Sequence, residues 1–194
     1  MSMQNNDRDI LDRFIRNRKE GIQLLFERYY RPLVLYAGTL IYDDTMAEDL
    51  VQEFFVRLWE DNYLEHIESK ALSSYLFSSV RNSCYTYVNK KDVLRARVDF
   101  TSIDVAADSA AALSQEIVDR VTAAIARMPE QTGRVLNCVL MQDMKYQEAA
   151  DELHVSLNTV KTLLRNGMRV LREELKREEE LILLFMVMAS PEFR

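Results

Sequence analysis

A chain of 194 residues can form one large or two small domains. Hydrophobic residues make up 48% of it, enough for real cores, while only 4 Gly and 3 Pro argue for helices and against a sandwich or barrel. A net charge of −6 excludes a uniformly basic nucleic-acid binder, but not a local basic face with the acidic excess elsewhere.

The pattern predicts helix over residues 8–41, interrupted at Arg31-Pro32. Ile10, Leu11, Phe14 and Ile15 form its first apolar face, and Ile22, Leu25, Phe26 and Tyr29 the next. Thr45 followed by Glu48 is a capping-box signature for a helix running to about Trp59. Leu50, Val51, Phe54, Phe55, Leu58 and Trp59 are its apolar side, and Glu48, Asp49, Gln52 and Glu53 lie close together on the other. After a polar loop, 60–70, a helix from about Leu72 to Lys91 alternates Tyr75, Phe77, Tyr85 and Tyr87 with Ser74, Ser78, Arg81, Asn82, Lys90 and Lys91.

Between Arg97 and Gln115 the composition turns to Ala, Ser, Asp and Thr without a period, which predicts a flexible linker over 98–115. A helix ending near Arg127 follows, and Pro129 suits the first turn of another that runs to Met141. From Tyr146 to Arg165 the chain reads as two short helices around a tight turn. Ala149, Ala150, Leu153, Val155, Val160 and Leu164 are the apolar positions, Ser156 is the N-cap, and His154 stands where positive φ is wanted. The second helix turns Asn158, Thr159, Lys161, Thr162, Arg165 and Asn166 outward, with Arg169, Arg172, Lys176 and Arg177 continuing a cationic face suited to a major groove. The tail Leu181 to Met188 is apolar but too short to span a bilayer, and it is expected to be buried.

The expected architecture is all-α: two small helical domains, 8–97 and 116–178, a linker at 98–115, and an apolar tail at 179–194. Cys84 and Cys138 lie in apolar helical patterns, and no signal-peptide pattern precedes them. They read as buried thiols in a reducing cytoplasm. With only His66 and His154 available, and no close Cys/His spacing, no metal site is expected. No phosphate loop, nucleophilic triad or carboxylate dyad stands out, so neither catalysis nor a cofactor is expected. Solvated faces and core tyrosines are the bland readings of the basic helix and of the aromatic one.

Four stretches in order resemble the bacterial extracytoplasmic-function sigma factors. Phe26 to Leu33 (FERYYRPL) resembles their region 2.1, and Thr45 to Trp59 (TMAEDLVQEFFVRLW) their region 2.2. Ser74 to Asn82 (SYLFSSVRN) resembles region 2.3–2.4, and Met128 to Arg172 region 4. The resemblance implies a transcription initiation factor that binds core RNA polymerase and promoter DNA, under the control of an anti-sigma factor, with no membrane insertion of its own. It implies that Asp49, Gln52 and Glu53 dock on polymerase. It implies that Asn82 captures a flipped base of the −10 element; on the same helix the aromatic and basic pattern itself makes Ser74, Tyr75 and Ser78 candidate contacts, with Arg81, Lys90 and Lys91 suited to hold the strand's backbone. Lys161, Thr162, Arg165 and Asn166 match residues that face the −35 element, and Asn158, Thr159 and Arg169 extend that surface. His154, Leu163 and Asn166 depart from the residues common in the family. Two other functions stay open on sequence alone: a sigma-like adaptor that sequesters an anti-sigma factor, and a stand-alone helix-turn-helix regulator.

Overall fold

The computed structural model describes residues 6–60, 63–91, 110–142, 144–175 and 178–189. Among them are nine α-helices and no strand, divided between two compact units.

The N-terminal unit holds α1 (Asp7–Arg16), α2 (Arg18–Ile41), α3 (Asp44–Glu60), a 3-10 turn (Tyr63–His66) and α4 (Ser69–Lys91). A capping box starts α1 sharply: the Asn6 side chain accepts from the Asp9 amide at 2.9 Å, and the Asp9 carboxylate accepts from the Asn6 amide at 3.2 Å. The expected break at Pro32 lies instead at Asn17, which ends α1 and caps α2. Helix α2 runs through Pro32 because Leu33, Val34, Leu35, Tyr36 and Ala37 behind it are all buried, and that packing outweighs the one backbone bond Pro cannot make. At the α1–α2 corner only glycine fits: a Cβ on Gly21 would lie 2.2 Å from the Phe14 Cα.

Helix α2 packs against α1, α3 and α4. Its buried Leu25, Tyr29, Leu33 and Tyr36 meet a core that includes Val51, Phe54 and Leu58 of α3 and Leu72, Leu76, Phe77 and Val80 of α4. The cap of α3 is Asp43, whose carboxylate accepts the Met46 amide at 3.1 Å; Thr45, expected as the cap, lies within the first turn. Three residues expected in apolar faces are exposed: Ile15 at 60%, Phe26 at 42% and Trp59 at 46%. Each lies about one residue (roughly 100°) beyond the buried stripe of its helix, so its direction is set by a rotation that apolarity alone does not define. Burial pushes the Cys84 thiol up to about 12, so it stays protonated and unreactive.

The C-terminal unit holds α5 (Ala110–Ala126), α6 (Glu130–Leu136) continued by a π-helical segment (Asn137–Met141), α7 (Tyr146–Leu153), α8 (Leu157–Glu174) and α9 (Glu178–Ala189). Helix α5 begins inside the segment expected to be linker, because Ala110-Ala-Ala-Leu113 is strongly helix-forming; residues 98–109 lie outside the described residues. Helix α8 packs against α5, α6 and α7. Gly167 brings it close to α6, since a Cβ there would lie 2.2 Å from the Leu136 Cδ1. Arg120 of α5 ties two further pieces together: it donates to the Glu174 carbonyl at the end of α8 and pairs with Glu180 of α9, both at 2.9 Å. The apolar tail is the helix α9, with Leu181, Ile182, Leu184, Phe185 and Met188 buried. No helix among the described residues is long and apolar enough to cross a membrane.

Candidate functional site

Three surfaces carry the residues singled out from the sequence. On α3, Asp49, Gln52 and Glu53 are arranged at i, i+3, i+4 spacing, which puts them on one face; Gln52 and Glu53 are exposed, as is Asp49. Glu53 pairs with Arg57 at 3.3 Å, with both side chains more than half exposed, so the pair adds little stability and leaves the carboxylate accessible. Arg57 also donates to the Ser83 hydroxyl of α4 at 3.0 Å. The Gln52 amide reaches the Tyr30 hydroxyl at 3.2 Å. Tyr30 stacks on Phe26 with ring centroids 4.3 Å apart, and Phe26 meets Phe55 edge-on at 5.1 Å.

This face is therefore more than acidic. Phe26 is partly open and Val56, one turn beyond Gln52 and Glu53, is 56% exposed. Apolar surface beside carboxylates and an amide is a composition that suits a protein partner better than a nucleic acid. Sequence reading missed Phe26, Tyr30 and Val56 as members. The available signal was spacing: Val56 lies at i+4 and i+3 from Gln52 and Glu53, and Tyr30 at i+4 from Phe26.

The second surface is on α4. Ser74, Ser78 and Asn82 follow one another at i+4, with Asn82 exposed and the two serines half-buried. Tyr75 is half-buried and stacks on the exposed Tyr63 of the 3-10 turn at 4.7 Å and 24°. One expected member is elsewhere: Arg81 is only 6% exposed. Phe77, an aromatic of the same helix, is wholly buried, edge-on to Tyr36 at 5.5 Å. Arg81 falls on the buried stripe of α4, between Phe77 and Cys84, so its guanidinium is not on the open face with Asn82. Lys90 and Lys91 close α4, and their side chains lie outside the described residues.

The third surface is the helix-turn-helix of α7 and α8. His154 adopts the left-handed conformation, φ 54° and ψ 44°, and its amide bonds back to the carbonyls of Ala150 and Asp151. The Val155 amide adds a bond to the Ala150 carbonyl at 3.0 Å. Ser156 caps α8, its hydroxyl accepting the Thr159 amide at 3.0 Å and lying 2.8 Å from the Thr159 hydroxyl. Thr159 is thus engaged by the cap and half-buried. Asn158, Thr162, Arg165, Asn166 and Arg169 are exposed along one line of α8, and Lys161 is half-buried beside it. The opposite line, Val160, Leu164, Gly167, Met168 and Leu171, is buried. This separation aims the cations and amides outward, while the positive end of the α8 dipole lies at Asn158, favouring an approaching phosphate. Leu163 is half-buried and lines a shallow pocket with Gln131, Arg134, Val135, Leu153 and Val155. Among the described residues no cluster of His, Cys, Asp and Glu could hold a metal ion.

Comparison with known proteins finds a family match within each of the two units. The family model of sigma-70 region 2 matches residues 25–93, and that of sigma-70 region 4 matches residues 119–171. The chain is 28% identical over 171 residues to the ECF RNA polymerase sigma factor SigX of Bacillus subtilis, covering 83% of this chain and 88% of the relative. It is 20% identical over 156 residues to the RNA polymerase sigma factor SigZ of the same organism, with 80% and 88% covered. To the ECF RNA polymerase sigma factor SigM, also of B. subtilis, it is 23% identical over 145 residues, with 74% and 88% covered.

Proposed function

We propose, for a chain that belongs to the extracytoplasmic-function sigma factors and so serves transcription initiation, a division of labour between three surfaces. Its sigma-factor domains imply binding to core RNA polymerase and to promoter DNA. In this proposal the α3 face, Asp49, Gln52 and Glu53 with Phe26, Tyr30 and Val56, takes the polymerase. Ser74, Tyr75, Ser78 and Asn82 of α4 take the −10 element as an unstacked strand. Asn158, Lys161, Thr162, Arg165, Asn166 and Arg169 of α8 take the −35 element in the major groove. We assign domain limits of 8–97 and 116–178 to the two working parts.

The observation that carries the reading is the segregation of side-chain chemistry. One exposed helix face is acidic, amide and apolar, and another, in the other unit, is cationic and amide. The first is repelled by phosphate and the second attracted to it, so the two call for different partners. At α4 the work is strand capture: a base leaves the duplex, its face stacks on an aromatic ring and its edge meets an amide. No bond is made or broken, and binding energy for the unstacked strand drives melting. The proposal thus places the protein in the bacterial cytoplasm as a binding subunit without catalysis of its own. It extends to control by an anti-sigma factor, for which Val56 of the polymerase face and the exposed Trp59 beside it offer apolar contact.

The test combines transcription-start mapping after overexpression with run-off transcription from the fragments so identified, using core polymerase and purified protein. Promoter-dependent transcripts are the expected result. Absence of such a transcript from every fragment would sink the reading, leaving a chain with the fold but without the work.

A further inference from the structure

Helix α1 lies ahead of residue 25, where the region 2 match begins, yet it is bound into the N-terminal unit by a buried polar network. Asp7, its first residue, accepts the Tyr29 hydroxyl at 2.7 Å and pairs with Arg28 at 3.1 Å. The ion pair is largely withdrawn from water, with the two side chains 13% and 21% exposed, and Tyr29 itself is 1% exposed. The Arg28 guanidinium lies 5.3 Å from the Tyr29 ring centre. Ser73 on α4 is a further polar neighbour of the same phenol, with an effect on its pKa opposite to that of Asp7. The phenol thus donates to Asp7 of α1 while Ser73 of α4 lies beside it. Burial first, and then the Asp7 charge, raise its pKa well above the ordinary tyrosine value, so it keeps the proton this arrangement needs.

The position of Ser73 gives this network a consequence. It directly precedes Ser74 and Tyr75, and Tyr75 stacks on Tyr63 of the 3-10 turn. Helix α1 packs against that turn and against α4 as well as against α2. One short helix thus backs both parts of the surface assigned to the −10 strand, and the Gly21–Phe14 contact fixes its angle to α2.

We infer that Asp7 and Tyr29 are positioning residues for −10 strand capture, holding α1 against the start of α4 so that Ser74, Tyr75 and Asn82 keep one register. The inference rests on the reading of α4 as the −10 surface. It makes a helix outside the matched family segment a determinant of promoter opening. Neither side chain reaches DNA: Tyr29 is buried, and Asp7, a carboxylate, repels phosphate.

The test uses holoenzyme assembled from core polymerase and full-length protein, and a non-template single strand spanning the −10 element of a promoter mapped as above. Tyr29→Phe keeps the ring and its packing but removes the hydroxyl. Loss of a buried hydrogen bond to a charged group should weaken strand affinity about tenfold. Affinity for core polymerase, and for a duplex carrying only the −35 element, should stay within about twofold, a split that general loss of stability does not produce. Asp7→Asn should act in the same direction. Should either variant fold poorly by circular dichroism, Ser73→Ala, which removes only the α4 hydroxyl beside Tyr29, is expected to weaken strand affinity about threefold. Strand affinity within twofold of wild type in the folded variants overturns the inference while leaving the α4 reading intact. A wild-type holoenzyme that ignores the strand overturns the α4 reading itself, and the inference with it.

Discussion

Helices α3 and α8 are built alike and finished oppositely. Each buries a stripe of apolar residues, Ala47, Val51, Phe54, Phe55 and Leu58 in one, Val160, Leu164, Met168 and Leu171 in the other. On the outer line α3 carries Asp49, Gln52, Glu53 and Val56, whereas α8 carries Asn158, Thr162, Arg165, Asn166 and Arg169. The shared pattern secures the fold, and the difference on the solvent side decides which partner each can meet. A net charge of −6 averages these two faces into a number that describes neither.

The strongest way to break the comparison is to reverse the sign of the cationic face. Lys161→Glu with Arg165→Glu should cut binding to a −35 duplex on the order of 100-fold or more, since each such contact is worth roughly 1–3 kcal/mol. Binding to core polymerase should be unchanged. Fluorescence anisotropy with duplex and with core separates the two. Equal loss of both would mean the faces are not independent. The converse reversal, Asp49→Lys with Glu53→Lys, should weaken core binding by about tenfold to a hundredfold through like-charge juxtaposition and leave duplex binding alone. Competition with unmodified protein for core polymerase measures it, and a variant that competes as well as wild type removes α3 from the docking surface.

Two glycines sharpen the comparison at the level of packing. Gly21→Ala sets a Cβ against backbone, the Phe14 Cα, which cannot move without shifting α1; Gly167→Ala meets the branched end of the Leu136 side chain. Overpacking of the second kind costs about 1–3 kcal/mol, and the first should exceed it. Thermal melts of the two variants should therefore rank Gly21→Ala as the more damaging. The reverse order would show the α1–α2 corner to be the more yielding of the two.

Much of this was legible in the residues because local chemistry and tertiary context agreed. Ser156 as a cap, His154 in the left-handed turn and the outward line from Asn158 to Arg169 all follow from a capped, amphipathic pattern. Reading stopped where a neighbour decides the outcome. Pro32 looked like a break because its local cost is visible, whereas the burial of the five residues after it is not. Trp59 and Phe26 looked like core because apolarity does not report a rotation of one residue, and Arg81 looked available because its charge hides the buried position it holds. The π-helical segment at Asn137–Met141 and the tie from Asp7 of α1 to Tyr29 of α2 had no local signal, since both depend on residues brought together only by folding.

The smallest expected effect concerns the turn that orients α8. His154 is a non-glycine residue at φ 54°, in a region where the Cβ crowds the backbone, and its side chain is exposed. His154→Gly relieves that crowding but gives the unfolded chain more freedom to lose. At a left-handed position the relief outweighs the added freedom, so the C-terminal unit should gain about 0.5–1 kcal/mol, read as a raised unfolding midpoint in urea. The bonds of this turn to Ala150 and Asp151 run through backbone amides, which glycine retains, so the affinity of α8 for its duplex should stay within about twofold. Stability rising while affinity holds would make His154 a residue of the turn alone. A fall in affinity with stability raised would instead place the imidazole at the DNA, adding to α8 a contact that has no counterpart on α3.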